Sequence, residues 1–192
     1  MIVGVLALQG AFAAHQERLT ALDVDAPAVR TRAGLDRVDA LVVPGGESTT
    51  MSHLLRTNDL FDPIRERLVD GLPVFGTCAG MIMCCSDVLD GRPDQRSFGV
   101  IDATVRRNGY GRQLASFEAD LDVKGLDDPF HAVFIRAPLV ERVGEHVEVL
   151  AELDGVPVLV RNRTCTVASF HPELTPDVRL HEAFVNSISV NL

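Results

Sequence analysis

The chain has 192 residues, 46% of them hydrophobic and 23% charged, which suits one globular domain over residues 1–192 with a full core. A formal net charge of −9 argues against nucleic acid and anionic membrane surfaces as partners, and no apolar run reaches transmembrane length. The N-terminus enters Ile2-Val3-Gly4-Val5-Leu6 without a basic region or a cleavage site, and the 4 cysteines (Cys78, Cys84, Cys85, Cys165) include no C-x-x-C pair. The expectation is a cytoplasmic protein in a reducing compartment, with no disulfide framework and no structural metal.

In chain order, residues 2–8 read as a buried strand ending at Gln9-Gly10, and residues 15–22 have helical spacing with Leu19 and Leu22 on one face. Residues 40–43 form a second apolar strand that runs into Pro44-Gly45-Gly46. A helix over 48–56 follows, with Ser48 or Thr49 placed to cap it. Residues 61–69 are helical, and 73–76 form a strand before a glycine-rich turn. Strands alternating with helices at these lengths predict a parallel sheet covered on both faces. The polar stretch 87–97 reads as a loop. Beyond it the pattern turns strand-rich, at 100–105, 117–123, 133–135, 147–153, 156–160 and 166–169, and 178–190 is a closing amphipathic helix.

The turn Gly76-Thr77-Cys78-Ala79-Gly80 sits between an apolar strand and a helix-like run from Met81. A side chain at such an apex stands clear of the sheet in a strained backbone conformation, and the flanking glycines relieve the clash. The helix start beyond it offers free N–H groups that favour a thiolate and a developing oxyanion. Cys78 is therefore the candidate nucleophile, and a buried structural cysteine is the plainer alternative. Late in the chain, Ser169-Phe170-His171-Pro172-Glu173 offers a base and an orienting carboxylate. If that segment is extended, residues two apart face the same way. Pro44-Gly45-Gly46-Glu47-Ser48 and Leu8-Gln9-Gly10 also fall at strand carboxyl ends, where open parallel sheets bind ligands.

Taken together, the elbow, the Pro-Gly-Gly-Glu-Ser turn and the Ser-Phe-His-Pro-Glu segment resemble class I, triad-type glutamine amidotransferases. The segments Gly4–Gly10, Ser48–Met51, Arg107-Asn108, Gly111-Arg112-Gln113, Ser116–Asp120 and Phe134–Pro138 resemble, within that class, the glutaminase subunits of pyridoxal 5′-phosphate synthases, over nearly the whole chain. The resemblance implies a flavodoxin-like three-layer α/β sandwich with a mostly parallel central sheet. It implies hydrolysis of L-glutamine to glutamate and ammonia, with no cofactor and no metal, and delivery of the ammonia to a synthase subunit in a hetero-oligomeric complex. Matched motif by motif, Cys78, His171 and Glu173 are the triad, and Gly46, Glu47, Ser48, Arg107, Ile135 and Arg136 contact glutamine. The amides of Gly46 and Ala79 form the oxyanion hole. Residues 11–15, Ala-Phe-Ala-Ala-His, depart from the charged residues common before that histidine.

Three other readings are weighed against this one. An α/β-hydrolase with a cysteine nucleophile places its acid before the histidine in chain order, whereas Glu173 follows His171. A glutaminase serving another acceptor shares the triad but not the 116–120 and 134–138 segments. A non-catalytic module on the same fold has no need for Cys78, His171 and Glu173 together.

Overall fold

The computed structural model describes residues 1–107, 109 and 116–190. The chain begins β1 (Val3–Leu6), α1 (Phe12–Thr20), β2 (Ala28–Val29), α2 (Arg32–Leu35), β3 (Ala40–Val43), α3 (Ser48–Thr57) and α4 (Phe61–Val69). It continues with β4 (Val74–Thr77), α5 (Ala79–Cys84), β5 (Cys85–Leu89), β6 (Ile101–Arg106), β7 (Ser116–Leu121) and β8 (Phe130–Ile135). Then come β9 (Leu139–Val143), β10 (Glu148–Leu153), β11 (Val156–Arg161), β12 (Cys165–Ala168), a 3-10 turn at Pro172–Leu174, and α6 (Arg179–Val190).

The main sheet among the described residues has seven strands in the order β10-β11-β12-β4-β3-β1-β2. From β12 to β2 every pairing is parallel, while β10 and β11 are added antiparallel at one edge. The strands are buried on both faces, and alternation along one strand divides the core in two. Leu41 and Val43 of β3 pack with Met51, Leu55, Phe61 and Ile64 of α3 and α4. Ala40 and Val42 pack on the other face with Leu19 of α1 and Leu180, Phe184 and Ile188 of α6. The result is the expected three-layer α/β sandwich with a mostly parallel sheet. Small sheets β5-β6-β9 and β7-β8 complete the strand-rich half.

Several expectations need correction. The stretch 87–97 is not all loop, because β5 runs to Leu89 and pairs with β6. Ser86 and Asp87 are both exposed there, where the register with β6 shifts between Cys85 and Asp87. The cap of α3 is neither Ser48 nor Thr49. Glu47, in an extended conformation, accepts from the N–H groups of Thr49 (3.0 Å) and Thr50 (2.7 Å), and Ser48 is already helical. The elements β2, α2 and β9 lack an apolar run long enough to announce them.

Chain order places the switch point of the sheet between β1 and β3, since β2 lies to one side of β1 and β3 and β4 to the other. Gln9, Gly45–Ser48 and Cys78 all follow the carboxyl ends of these neighbouring strands, so the topology alone gathers them at one crevice.

Candidate active site

Cys78 joins β4 to α5 with φ 50° and ψ −105°, an uncommon conformation for a residue with a side chain. The turn is packed tightly: a Cβ on Gly80 would overlap the Val43 carbonyl oxygen of the neighbouring strand. The elbow therefore requires glycine there, and Cys78 is pinned at its apex. Its Sγ lies 3.8 Å from the Ile135 carbonyl oxygen.

His171 and Glu173 do not lie on an extended segment as the spacing suggested. The 3-10 turn that begins at Pro172 brings them together, with His171 Nδ1 2.7 Å from Glu173 Oε1. The His171 N–H is fixed to the Val133 carbonyl at 2.8 Å, which ties the base to β8. His171 Nε2 is buried without a well-aligned hydrogen-bond partner among the described residues. The Cys78 thiol is nonetheless close enough to raise the proton affinity of the ring. Burial pushes His171 down, but its contacts with Cys78 and Glu173 outweigh that and carry it up to about 10. Burial likewise raises Glu173, and the neighbouring His171 and His15 bring it below the ordinary glutamate value.

A cleft of about 410 Å³ opens over this group, within the ~300–1,000 Å³ usual for small-molecule sites. Gly46, Glu47, Ser48, Cys78, Arg107, Ile135, Arg136 and His171, all candidate site residues from the sequence, line it together, and Ile82 adds an apolar wall. Ala79, next to Cys78 in the chain, is the first residue of α5, where a backbone N–H has no partner within its own helix. Glu47 spans two duties: besides capping α3 it pairs with Arg107 at 2.7 Å. Partial burial raises its carboxyl, and the Thr49 and Thr50 donors more than offset that. Arg136 is held with φ 45°, which turns the chain at the cleft wall. Asn108 and Gly111-Arg112-Gln113 lie outside the described residues.

The sequence placed Gln9 and Gly45 at site turns without showing what they contact, and it did not single out Gln95. The Gln9 amide clamps the glycine turn, donating to the Glu47 carbonyl (2.8 Å) and accepting from the Glu47 N–H (3.3 Å). Gly45 is required because a Cβ there would strike the His171 ring. Gln95 reaches in from the 87–97 segment to Ser48 Oγ (3.2 Å) and Arg107 (3.4 Å). A lone glutamine in a polar loop carries no signal that would have singled it out.

With this geometry in place, comparison with known proteins is decisive. A profile of the SNO glutamine amidotransferase family matches residues 5–190. The chain belongs to this family. A curated relative from Mycobacteroides abscessus, named pyridoxal 5′-phosphate synthase subunit PdxT, is 56% identical over 97% of each chain. One of the same name from a Nocardioides species is 54% identical over 97% of this chain and 96% of that one. A solved glutamine amidotransferase structure, 50% identical, superposes with TM-score 0.93 over 98% of this chain and 100% of the other. A more distant solved structure, a glutamine amidotransferase from Thermotoga maritima, is 13% identical with TM-score 0.61 over 99% of this chain and 84% of that one, a likeness of fold.

Proposed function

We propose that this single domain works in the cytoplasm as the glutaminase subunit of a pyridoxal 5′-phosphate synthase. It hydrolyses L-glutamine to L-glutamate and ammonia and passes the ammonia to a synthase subunit. The observation that carries the glutaminase reading is the His171–Glu173 contact of 2.7 Å beside a cysteine held at a strained elbow, in a cleft lined by Arg107 and Arg136, and the choice of acceptor is supported by the 56% and 54% identical relatives that bear the synthase-subunit name.

The chemistry follows from the placement. A protonated His171 favours a thiolate neighbour, and Cys78 attacks the side-chain amide carbon of glutamine. The amide oxygen becomes an oxyanion, received by the N–H groups of Gly46 and Ala79, each donor worth roughly 3–4 kcal/mol. The tetrahedral intermediate collapses as His171 gives its proton to the leaving nitrogen, releasing ammonia and leaving a thioester on Cys78. Water then adds to the thioester, its proton passing to His171, and a second collapse frees glutamate and the thiolate. No step needs a metal or an organic cofactor. Arg107 and Arg136 suit the substrate's α-carboxylate, and Glu47 and Ser48 its ammonium and polar edge.

The test is Cys78→Ala assayed with the synthase subunit. Glutamine-dependent pyridoxal phosphate formation is lost, while formation from added ammonia persists because that chemistry lies on the partner. Glutamine hydrolysis surviving in the variant, or a thiol-directed glutamine analogue labelling Cys84 instead, would overturn the assignment.

A further inference from the structure

Glu173 has a second imidazole against it. His15, on α1, places Nε2 3.3 Å from Glu173 Oε2 and 3.1 Å from Thr77 Oγ1. Its Nδ1 lies 2.9 Å from Nε2 of His181 on α6. Both histidines have no exposed surface, and Phe75 packs edge-on against each ring. Glu173 Oε2 has no aligned hydrogen-bond partner among the described residues, and neither does His181 Nδ1. A continuous buried chain thus runs His181–His15–Glu173–His171, and it reaches Cys78.

Counting donors fixes the protons. Burial keeps both rings neutral: it takes His15 down to about 4, against the pull of Glu173, and puts His181 well below its ordinary value, helped by His15 and Arg18. Each ring therefore has one N–H. If His15 carried it on Nδ1, its Nε2 lone pair would face the Glu173 carboxylate, and His181 would bury an N–H with no acceptor. If His15 carries it on Nε2, that N–H lies between Thr77 Oγ1 and Glu173 Oε2, and His181 donates from Nε2 to His15 Nδ1. His181 is then left with a bare lone pair on Nδ1 instead of a buried N–H, the cheaper omission.

We propose that His15 is a positioning residue of the triad, its Nε2–H holding the outer oxygen of Glu173, and that His181 sets the tautomer that makes this possible. The proposal rests on the triad reading above. With its outer oxygen held, the carboxylate cannot swing away from His171 Nδ1, and the base stays aimed at Cys78.

The experiment is steady-state glutaminase kinetics in the assembled complex for His15→Leu, His15→Gln, Glu173→Gln and the His15→Leu/Glu173→Gln double variant, with Cys78→Ala alongside. His15→Leu lowers kcat by ~10–100-fold with glutamine KM nearly unchanged, the scale seen when partners that orient a site residue are removed. His15→Gln, whose amide nitrogen can reach the Nε2 position, recovers most of that loss. In the Glu173→Gln background, His15→Leu costs less than ~3-fold, because a residue acting through Glu173 has nothing left to position. Equal losses in both backgrounds, or an unaffected kcat in His15→Leu, would overturn the proposal, while a dead Cys78→Ala leaves the triad standing. If His15→Leu fails to fold, imidazole 15N shifts of the wild-type chain decide: His15 and His181 are both neutral with the proton on Nε2, and an Nδ1–H tautomer at His15 refutes the idea.

Discussion

Two imidazoles flank one carboxylate, and the two sides of Glu173 behave in opposite ways. On the cleft side, His171 is carried up to about 10; on the core side, His15 is taken down to about 4. Burial works against the charged form of both, and their exposures are close, 7% and 0%. The difference lies in partners. His171 has the Cys78 thiol and an aligned contact to Glu173, whereas His15 has a less well-aligned contact to Glu173 and the His171 charge beyond it. Glu173 lies against both rings, but only His171 has Cys78 as well, so the proton is favoured on the cleft side. The core-side ring is left neutral, able to donate one N–H without competing for the proton.

The largest test of this asymmetry is to remove each member in turn. His171→Asn costs nearly as much as losing the nucleophile, ~10⁶-fold in kcat, because such groups act as a unit. Glu173→Gln is milder, ~10³–10⁴-fold, since the amide keeps the shape and loses the charge that stabilises the imidazolium. Both are read from glutamine turnover with the synthase subunit present. Wild-type turnover in His171→Asn would abolish the distinction between the two sides.

Stability against pH tests the core side directly. A histidine whose folded value is depressed contributes fully above its unfolded value near 6.5, and the contribution is lost as pH falls toward 4. Stability therefore declines through this window by ~3 kcal/mol at most from His15, with His181 adding in the same direction. His171 has the reverse sign: its contribution is whole below 6.5 and is lost as pH rises toward 10. Denaturant titrations of wild type and His15→Leu at stepped pH measure this. A flatter acid limb in the variant is expected, and an unchanged slope would show that His15 is not the group titrating.

The substrate contacts proposed above sit wholly on the cleft side. Arg107→Ala or Arg136→Ala raises glutamine KM ~10–100-fold, the worth of a hydrogen bond to a charged group, with a smaller change in kcat. A glutamine titration in the complex checks it. Unchanged kinetics in both variants would remove these arginines from the proposed glutamine site.

The cleft side was legible in the sequence and the core side was not, for a physical reason. Cys78, Gly46 and Ser48 stand at turns between a strand and a helix, where glycines and polar residues interrupt apolar runs. Such interruptions are visible in one dimension. The apolar run of β3 and the helical pattern of α4 gave their bounds to the residue. His15 is different. It sits within α1 and meets residues 62, 158 and 166 positions away, at Thr77, Glu173 and His181. No spacing rule connects those positions; only the packing of α1 and α6 on the same face of the sheet does. The contacts of Gln9 and Gln95 were hidden for the same reason, their partners lying 38 and 47 residues distant, although the turn holding Gln9 had been singled out. Pairing of His171 with Glu173 was inferred correctly but through the wrong backbone, since Pro172 starts a 3-10 turn instead of continuing a strand.

The smallest expected effect separates the two neighbours of the His15 N–H. Thr77 Oγ1 at 3.1 Å is the better-aligned acceptor, and Glu173 Oε2 at 3.3 Å is the charged one. In Thr77→Val the hydroxyl is replaced by a methyl of similar size, and the N–H has only the carboxylate to turn to. The protein loses about 0.5–1.5 kcal/mol, one buried hydrogen bond, and remains folded. If Glu173 is the partner that matters, kcat changes by less than ~3-fold, because the charge-assisted contact strengthens as the competing one disappears. Urea midpoints and turnover of this variant, set beside His15→Leu, give the answer. A kcat loss in Thr77→Val as large as in His15→Leu would mean that the hydroxyl, and not the carboxylate, is what His15 holds, and the core side of Glu173 would then have no part in aiming the base.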